Sequence, residues 1–507
     1  MTGCLRKVPR HLPLDHHCPW REEAEELRER LQHLEALVAK LQRQVFGAKS
    51  ERMLEPAQRM PTVQQQLRQQ ESPEQTAARE QQSQQKRRER AALKAERAPT
   101  RRIFHPVPQP QRQCPACGSR ELKPLGQGRL TVVYEYLPAR LERQEHVQEV
   151  LSCECGKGVV SAPPPPKVVD KSEYGPGLMA HLITSKCADS MPLHRLARRL
   201  ERGGVPMSRS TLTDLFHRAA ELLAPLVVAL LLHIAKAAVV QADETPLRVL
   251  APKKTHRGYL WTFLTRSEQG LWLIAYRFSL SRAGKTPKDV LGGTKGALVV
   301  DAYTGYNSVT LPQGRVRVGC WAHTRSKFFE ALPTAPEAQQ ALDFILEFYR
   351  VEDMALQQGV VRTPAHRALR QRHCAPVLMR MHQWLQFQRP LHLPKSPMGE
   401  ALRYALNQWQ ALGLFLNDER LPLDNNRSEG ALRAAALGRK NFLFVGHEAA
   451  GQNLAGLYSL VASCEATGIN PEQYLEDVLL RIQTHPQSRI DELLPHHWKP
   501  SRTDDSS

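Results

Sequence analysis

The sequence predicts a multidomain chain, mainly α, built around an α/β core that a helical insertion interrupts. Three observations predict it. At 507 residues the chain exceeds the roughly 250 that one hydrophobic core serves. A helix-rich and His-rich stretch from about residue 331 to 416 lacks strand patterning. Two short buried-type strands, Ala237–Asp243 and Gly296–Asp301, each end in an aspartate and are separated by a hairpin and a helix.

Composition narrows the partner. The 70 Lys+Arg against 51 Asp+Glu give a formal net charge of +19, the footprint of a polyanion binder, with nucleic acid ahead of an anionic membrane surface. No apolar run approaches the ~20 residues of a membrane span, since Leu222–Ala238 contains Pro225, His233 and Lys236. The N-terminus lacks an apolar signal core. The expectation is a soluble, cytoplasmic, nucleoid-associated protein without a membrane partner. Ten cysteines are too few for a disulfide scaffold.

In residues 1–54, Leu27, Leu31, Leu34, Val38, Leu41 and Val45 follow a heptad seam that stops at Phe46-Gly47. The pattern points to a coiled coil and a homo-oligomer, against a lone amphipathic helix packed on its own protein. Residues 55–105 are a basic, Gln-rich linker or irregular helix, in which Lys86, Arg87, Arg88, Arg90, Lys94 and Arg97 either touch phosphates or form a solvated charge run. In residues 106–165, Cys114, Cys117, Cys153 and Cys155 form two thiol pairs suited to one tetrahedral Zn²⁺, with His105 or His146 able to replace a thiol. Four protein ligands leave no open position, so this zinc is structural. Pro163–Pro166 form a stiff spacer.

Residues 166–235 are helical. Leu193–Arg202, a Gly203-Gly204 turn and a helix opened by Ser208 resemble a helix-turn-helix, which would bring Arg209, Thr211 and Thr213 to a major groove; a plain helical hairpin has the same pattern. The core falls in residues 236–330 and 418–446, on either side of the insertion at 331–417, and residues 447–507 form a C-terminal domain.

In the first core segment Gly258–Thr265 and Leu271–Phe278 form a hairpin, Thr286–Leu291 a helix, and Val316–Trp321 a strand running into a helix with His323, Arg325 and Lys327. Ribonuclease-H-like nucleases use this order, with the first and fourth strands adjacent and parallel, so that Asp243 and Asp301 would meet. Two carboxylates that close repel unless a cation neutralises them, which suits Mg²⁺. A third ligand, Glu429, comes from a helix that Asp424 or Asn425 can cap and Gly438 can end. Arg433 lies one turn beyond Glu429, where it can hold the carboxylate or a DNA phosphate, and Arg439 and Lys440 add cations. Glu244, beside Asp243, points to the other face of its strand and is the weaker candidate.

Along almost its whole length the chain resembles the transposases of the insertion sequence 66 family. The shared motifs are Ala242-Asp-Glu-Thr-Pro246, Asp301-Ala-Tyr-Thr-Gly-Tyr306, Cys320-Trp-Ala-His323, Asp424-Asn-Asn426 with Glu429, Gly438-Arg-Lys-Asn441 and Arg489-Ile-Asp-Glu-Leu-Leu-Pro495. The resemblance implies a leucine-zipper-like N-terminus, a zinc-binding domain, and a ribonuclease-H-like core of the DDE class with Asp243, Asp301 and Glu429 as catalytic acids. It implies two Mg²⁺ ions serving cleavage of double-stranded element ends and strand transfer into target DNA. Arg209, Arg325, Lys327, Arg433, Arg439 and Lys440 are the expected DNA contacts. Small accessory proteins of the element are possible partners. Two departures stand out: Cys153-Glu-Cys155 is tighter than the family's second pair, and Ser326 replaces a basic residue after Arg325. The rival functions are a non-catalytic end-binding protein and a structure-selective nuclease that cuts without joining.

Overall fold

The computed structural model describes residues 63–69, 71–97, 144–148, 150–152, 159–161, 166–169, 172–252, 254–310 and 313–500. The heptad region and Cys114, Cys117, Cys153 and Cys155 lie outside the described residues. Those within 61–144 form one unit and those from 145 onward another. The first holds α1 (Val63–Gln69) and α2 (Pro73–Arg97). Helix α2 opens with a capping box, Ser72 Oγ accepting from the Gln75 amide and Gln75 Oε1 from that of Ser72. Lys86, Arg87 and Arg88 are exposed on it.

The second unit begins with a small antiparallel pair, β1 (Val150–Ser152) and β2 (Val159–Ser161). Then follow α3 (Pro176–Cys187), α4 (Leu193–Arg202) and α5 (Arg209–Lys236). Ser208 caps α5 as its sequence promises, accepting from the Thr211 amide at 3.0 Å. The helix is far longer than a recognition helix. It runs through Pro225 for 28 residues, and by length and apolarity it could cross a membrane. Leu212, Leu223, Leu226, Leu230 and Ile234 are instead fully buried in the core. Pro225 thus does not break the apolar run, because its ring sits on the exposed side.

The central sheet comprises β3 (Val239–Ala251), β4 (Lys254–Arg266), β5 (Trp272–Ser279), β6 (Ala297–Val299) and β7 (Val316–Val318), in the order β5-β4-β3-β6-β7. Strands β3, β4 and β5 form an antiparallel meander, while β6 runs parallel to β3 and β7 parallel to β6. The first and fourth core strands are therefore adjacent and parallel, as their order predicts. Two short helices, α6 (Lys285–Leu291) and α7 (Asn307–Thr310), flank β6. Strand β3 does not end at Asp243, as the apolar pattern suggests. It continues to Ala251 because β4 still pairs with it after β6 has stopped.

The remaining helices are α8 (Trp321–Ala331), α9 (Ala338–Gln357), α10 (Pro364–Gln388), α11 (Pro397–Asn407), α12 (Trp409–Gly413), α13 (Asn426–Phe442), α14 (Glu448–Thr467) and α15 (Pro471–Arg481). Two apolar cores share the sheet. One contains α3, α5, α14 and α15 and receives Leu298 of β6 and Val300 just beyond it; the other, with α8 to α11, receives Val299. The alternation follows from the two-residue period of a strand. Helix α14 also protects the edge strand: Ser463 Oγ and Ser459 Oγ accept from the amides of Ile274 and Tyr276 at 3.0 and 2.8 Å. The motif Arg489–Pro495 docks on α15, where Tyr474 Oη donates to Leu493 O and Trp498 Nε1 to Asp477.

Candidate active site

Register does the first work. Gln241 pairs with Val299 across the parallel β3/β6 ladder. Two residues further along each chain, Asp243 and Asp301 come abreast just past the end of β6. Parity fixes the face: Val240 and Ala242 enter the core that contains α14, so Gln241 and Asp243 face the inserted helices. The loop carrying Asp301 is pinned from β7, with Arg317 donating to Asp301 O and Tyr303 O at 3.0 Å each. The Asp301 carboxylate accepts from the Tyr303 amide at 2.9 Å, and that of Asp243 from the Glu244 amide at 2.8 Å.

Glu429 arrives on the first turn of α13. Of the two expected caps, Asn425 makes no side-chain cap bond, whereas Asp424 Oδ1 accepts from the amide of Asn426, the first residue of the helix. The buried carboxamide of Asn425 instead donates to Ala242 O at 2.9 Å, next to Asp243, and its backbone amide donates to Cys320 Sγ at 3.3 Å. Ser428 Oγ closes on Asn425 from the other side. Asp424 accepts from Tyr349 Oη at 2.7 Å and from the Asn426 amide at 3.0 Å. Burial holds its carboxyl above the usual range, with those hydrogen bonds pulling the other way. The Asp424-Asn-Asn426 motif thus joins α13 to β3, α8 and α9 and sets where Glu429 stands.

The three carboxylates form one electrostatic group. Burial pushes the Asp243 carboxyl up to about 7; the Glu244 amide opposes the rise, and the negative charges of Glu244, Asp301 and Glu429 add to it. The Glu429 carboxylate faces the imidazole of His323 on α8, with Nε2 at 3.7 Å. The Nδ1 of His323 is buried without a hydrogen-bond partner. Such a set of oxygen anions fits a hard divalent cation in kind. Among the described residues no three His, Cys, Asp or Glu side chains form a ready-made metal cage.

Glu244 has a different role. Its side chain is 3% exposed and is held by Arg282 at 2.6 Å and Tyr306 Oη at 2.7 Å. It faces the opposite side of β3, as strand alternation predicts, and ties the Asp301–Tyr306 motif to the sheet. Arg282, which sequence reading missed, lies 4.0 Å over the Tyr303 ring.

The expected DNA contacts divide. Arg209, Arg433 and Lys440 are exposed. Lys327 is half-buried and pairs with Glu330 at 3.5 Å. Arg439 is committed to Thr245 Oγ1 and Pro246 O at 3.0 and 2.7 Å, anchoring α13 on β3. Arg325 is 2% exposed, so the expectation of a phosphate contact there is corrected: it is on the buried side of α8. Arg433 does not hold Glu429; His323 occupies that place. Gly438 does not end α13, which runs on to Phe442. A Cβ there would stand 2.6 Å from Tyr458 Oη, so the glycine serves the close approach of α13 and α14.

An acidic group at a parallel strand pair, completed by a later helix and faced by an inserted helical layer, defines a carboxylate-centred α/β protein of mixed sheet and many helices. By family the chain belongs to the Transposase IS66 family, whose model matches residues 171–453. Further models match the zinc-finger binding domain of transposase IS66 at 111–156, the IS66 C-terminal element at 459–496, and a region described as Transposase C of IS166 homeodomain at 33–97. The zinc-finger match spans all four expected cysteine ligands. Among curated relatives, Uncharacterized protein y4hP of Sinorhizobium fredii (strain NBRC 101917 / NGR234) is 31% identical over 78% of this chain and 74% of its own. Uncharacterized protein y4jD of the same organism is 31% identical over 77% of this chain and 79% of its own.

Proposed function

We propose that this chain is a DDE transposase with a ribonuclease-H-like core, using Asp243, Asp301 and Glu429 to cut element ends and join them to target DNA. The observation that carries the reading is the Gln241–Val299 register, which brings Asp243 and Asp301 abreast on the face that Glu429 reaches. The strand order of the sheet supports the ribonuclease-H-like assignment. The three carboxylates would hold two Mg²⁺ ions, which when bound supply Lewis-acid stabilisation of the attacking and leaving oxygens of an in-line displacement.

The chain's own residues do the rest. Asn425 holds α13 against Ala242, keeping Glu429 beside the two aspartates. His323 is placed to orient the Glu429 carboxylate, and Glu244 fixes the far side of the Asp301 loop through Tyr306. Exposed Arg209, Arg433 and Lys440, with Lys327, are the remaining phosphate contacts of the proposal. Structural zinc on Cys114, Cys117, Cys153 and Cys155 and self-association through residues 1–54 complete it, with accessory proteins of the element as further partners. Purified protein, labelled element ends, a target plasmid and Mg²⁺ test the reading. Joined product supports it. Cleavage without joining favours a nuclease, and binding alone favours a non-catalytic end-binding protein.

A further inference from the structure

A cleft of about 850 Å³ runs along the insertion side of the sheet, walled by β3, β4, the inserted helices and the C-terminal tail. It reaches within two residues of Asp243, because Gln241 lines it from the same face of β3. Its walls gather Arg266 from the end of β4, Arg362 from the turn before α10, and Arg427 from the first turn of α13. Arg266 and Arg427 both lie over the Trp272 ring, at 4.9 and 5.3 Å from its centroid.

Two other arginines of the cleft are already neutralised, while Lys236 adds a further exposed cation at its edge. Arg370 is held by Glu352 at 2.7 Å and Arg420 by Asp418 at 2.7 Å, while Glu419 turns to Arg367 at 3.6 Å. Among the described residues no carboxylate forms an ion pair with Arg266, Arg362 or Arg427. They bear on one another instead: burial and then Arg427 lower the Arg266 guanidinium, and burial and then Arg266 and Arg420 lower that of Arg362. Independently, Gln241 is 5% exposed and its Oε1 has no hydrogen-bond partner. A buried carboxamide in that state marks a place for a ligand atom, and by rotating it offers either its oxygen or its NH₂.

We infer that this cleft binds the phosphodiester backbone of a DNA strand, with Arg266, Arg362 and Arg427 on phosphate oxygens and the Gln241 carboxamide on a polar atom of the same nucleotide. The inference rests on the DNA reading of the protein and deepens it. It says where the strand runs beside the carboxylates: Gln241 precedes Asp243 by about 7 Å along β3.

The test is fluorescence anisotropy of the full-length protein with a labelled duplex in EDTA, repeated over a salt series. An Arg266→Ala, Arg362→Ala double variant should lower the slope of log affinity against log salt by about 1.8, at 0.9 per lost phosphate contact. The Arg266→Lys, Arg362→Lys variant should keep the slope, and an unchanged melting temperature shows that the alanine variant is folded. An unchanged slope in the alanine variant overturns the inference. Inorganic phosphate should displace no more DNA than sulfate at equal ionic strength; specific displacement makes the cleft a small-anion pocket and overturns the strand assignment. A failure of the wild type to bind any DNA overturns the DNA reading and this inference with it. A wild type that binds DNA with this slope effect yet neither cleaves nor joins ends in Mg²⁺ counts against the catalytic reading alone.

Discussion

At the residue scale, adjacent side chains on β3 carry opposite consequences. Asp243 has a folded carboxyl pushed up to about 7, above the ordinary 3.8, so between those values the folded chain binds a proton that the unfolded chain releases. Stability therefore falls as pH rises through that window, at most by about 1.4 kcal/mol per pKa unit. Asp243→Asn has no such proton to lose. In EDTA its melting temperature should exceed that of the wild type at about pH 8, and the gap should shrink towards about pH 5. A constant gap would contradict the electrostatic account. Glu244→Gln should instead lower stability by roughly 1–3 kcal/mol, because it weakens the buried contacts with Arg282 and Tyr306. Where it remains folded it should retain activity. Asp243 and Asp301 were legible in the sequence because apolar runs lead to both. Arg282 was not, since its partner lies 38 residues away and only the fold joins them.

At the element scale, α13 is the critical part, and its docking depends on two uncharged residues. Asn425→Ala removes the bond to Ala242 O and leaves a buried carbonyl unpaired, which costs roughly 1–3 kcal/mol. Joining should fall more than DNA binding, because Glu429 loses its position while exposed cations stay. Equal losses in both assays would return Asn425 to a purely structural role. Gly438→Ala should destabilise by a similar ~1–3 kcal/mol, since its Cβ would meet Tyr458 Oη. Chemical denaturation measures both. Sequence pattern located this helix and its Asp424 start but not the roles of Asn425 and Gly438, because Asn and Gly carry local preferences for caps that tertiary contacts override. The same weakness hid the length of α5, where Pro225 is tolerated inside the helix. Short β6 was recognised because its residues alternate between two apolar cores.

At the scale of the whole molecule, the proposed function draws on segments outside the sheet. The family match over 111–156 and the two thiol pairs lead to about one Zn²⁺ per chain. Elemental analysis should find it, and Cys114→Ser with Cys117→Ser should remove it. Retention of full zinc would refute those ligands. Leu34→Glu with Leu41→Glu should lower the oligomer mass in light scattering if the heptad seam joins chains. An unchanged mass would make it an internal helix. The central claim, however, is that three carboxylates from β3, the end of β6 and α13 act as one metal-dependent site. It is tested most directly by Mg²⁺-dependent cleavage and joining of labelled element ends by full-length Asp243→Asn, Asp301→Asn and Glu429→Gln. Each change keeps side-chain size and removes one negative charge, so metal affinity should fall while DNA binding stays. The account predicts no cleaved or joined product from any of the three, with end binding and folding preserved. A variant of this set that still joins ends to target would contradict it.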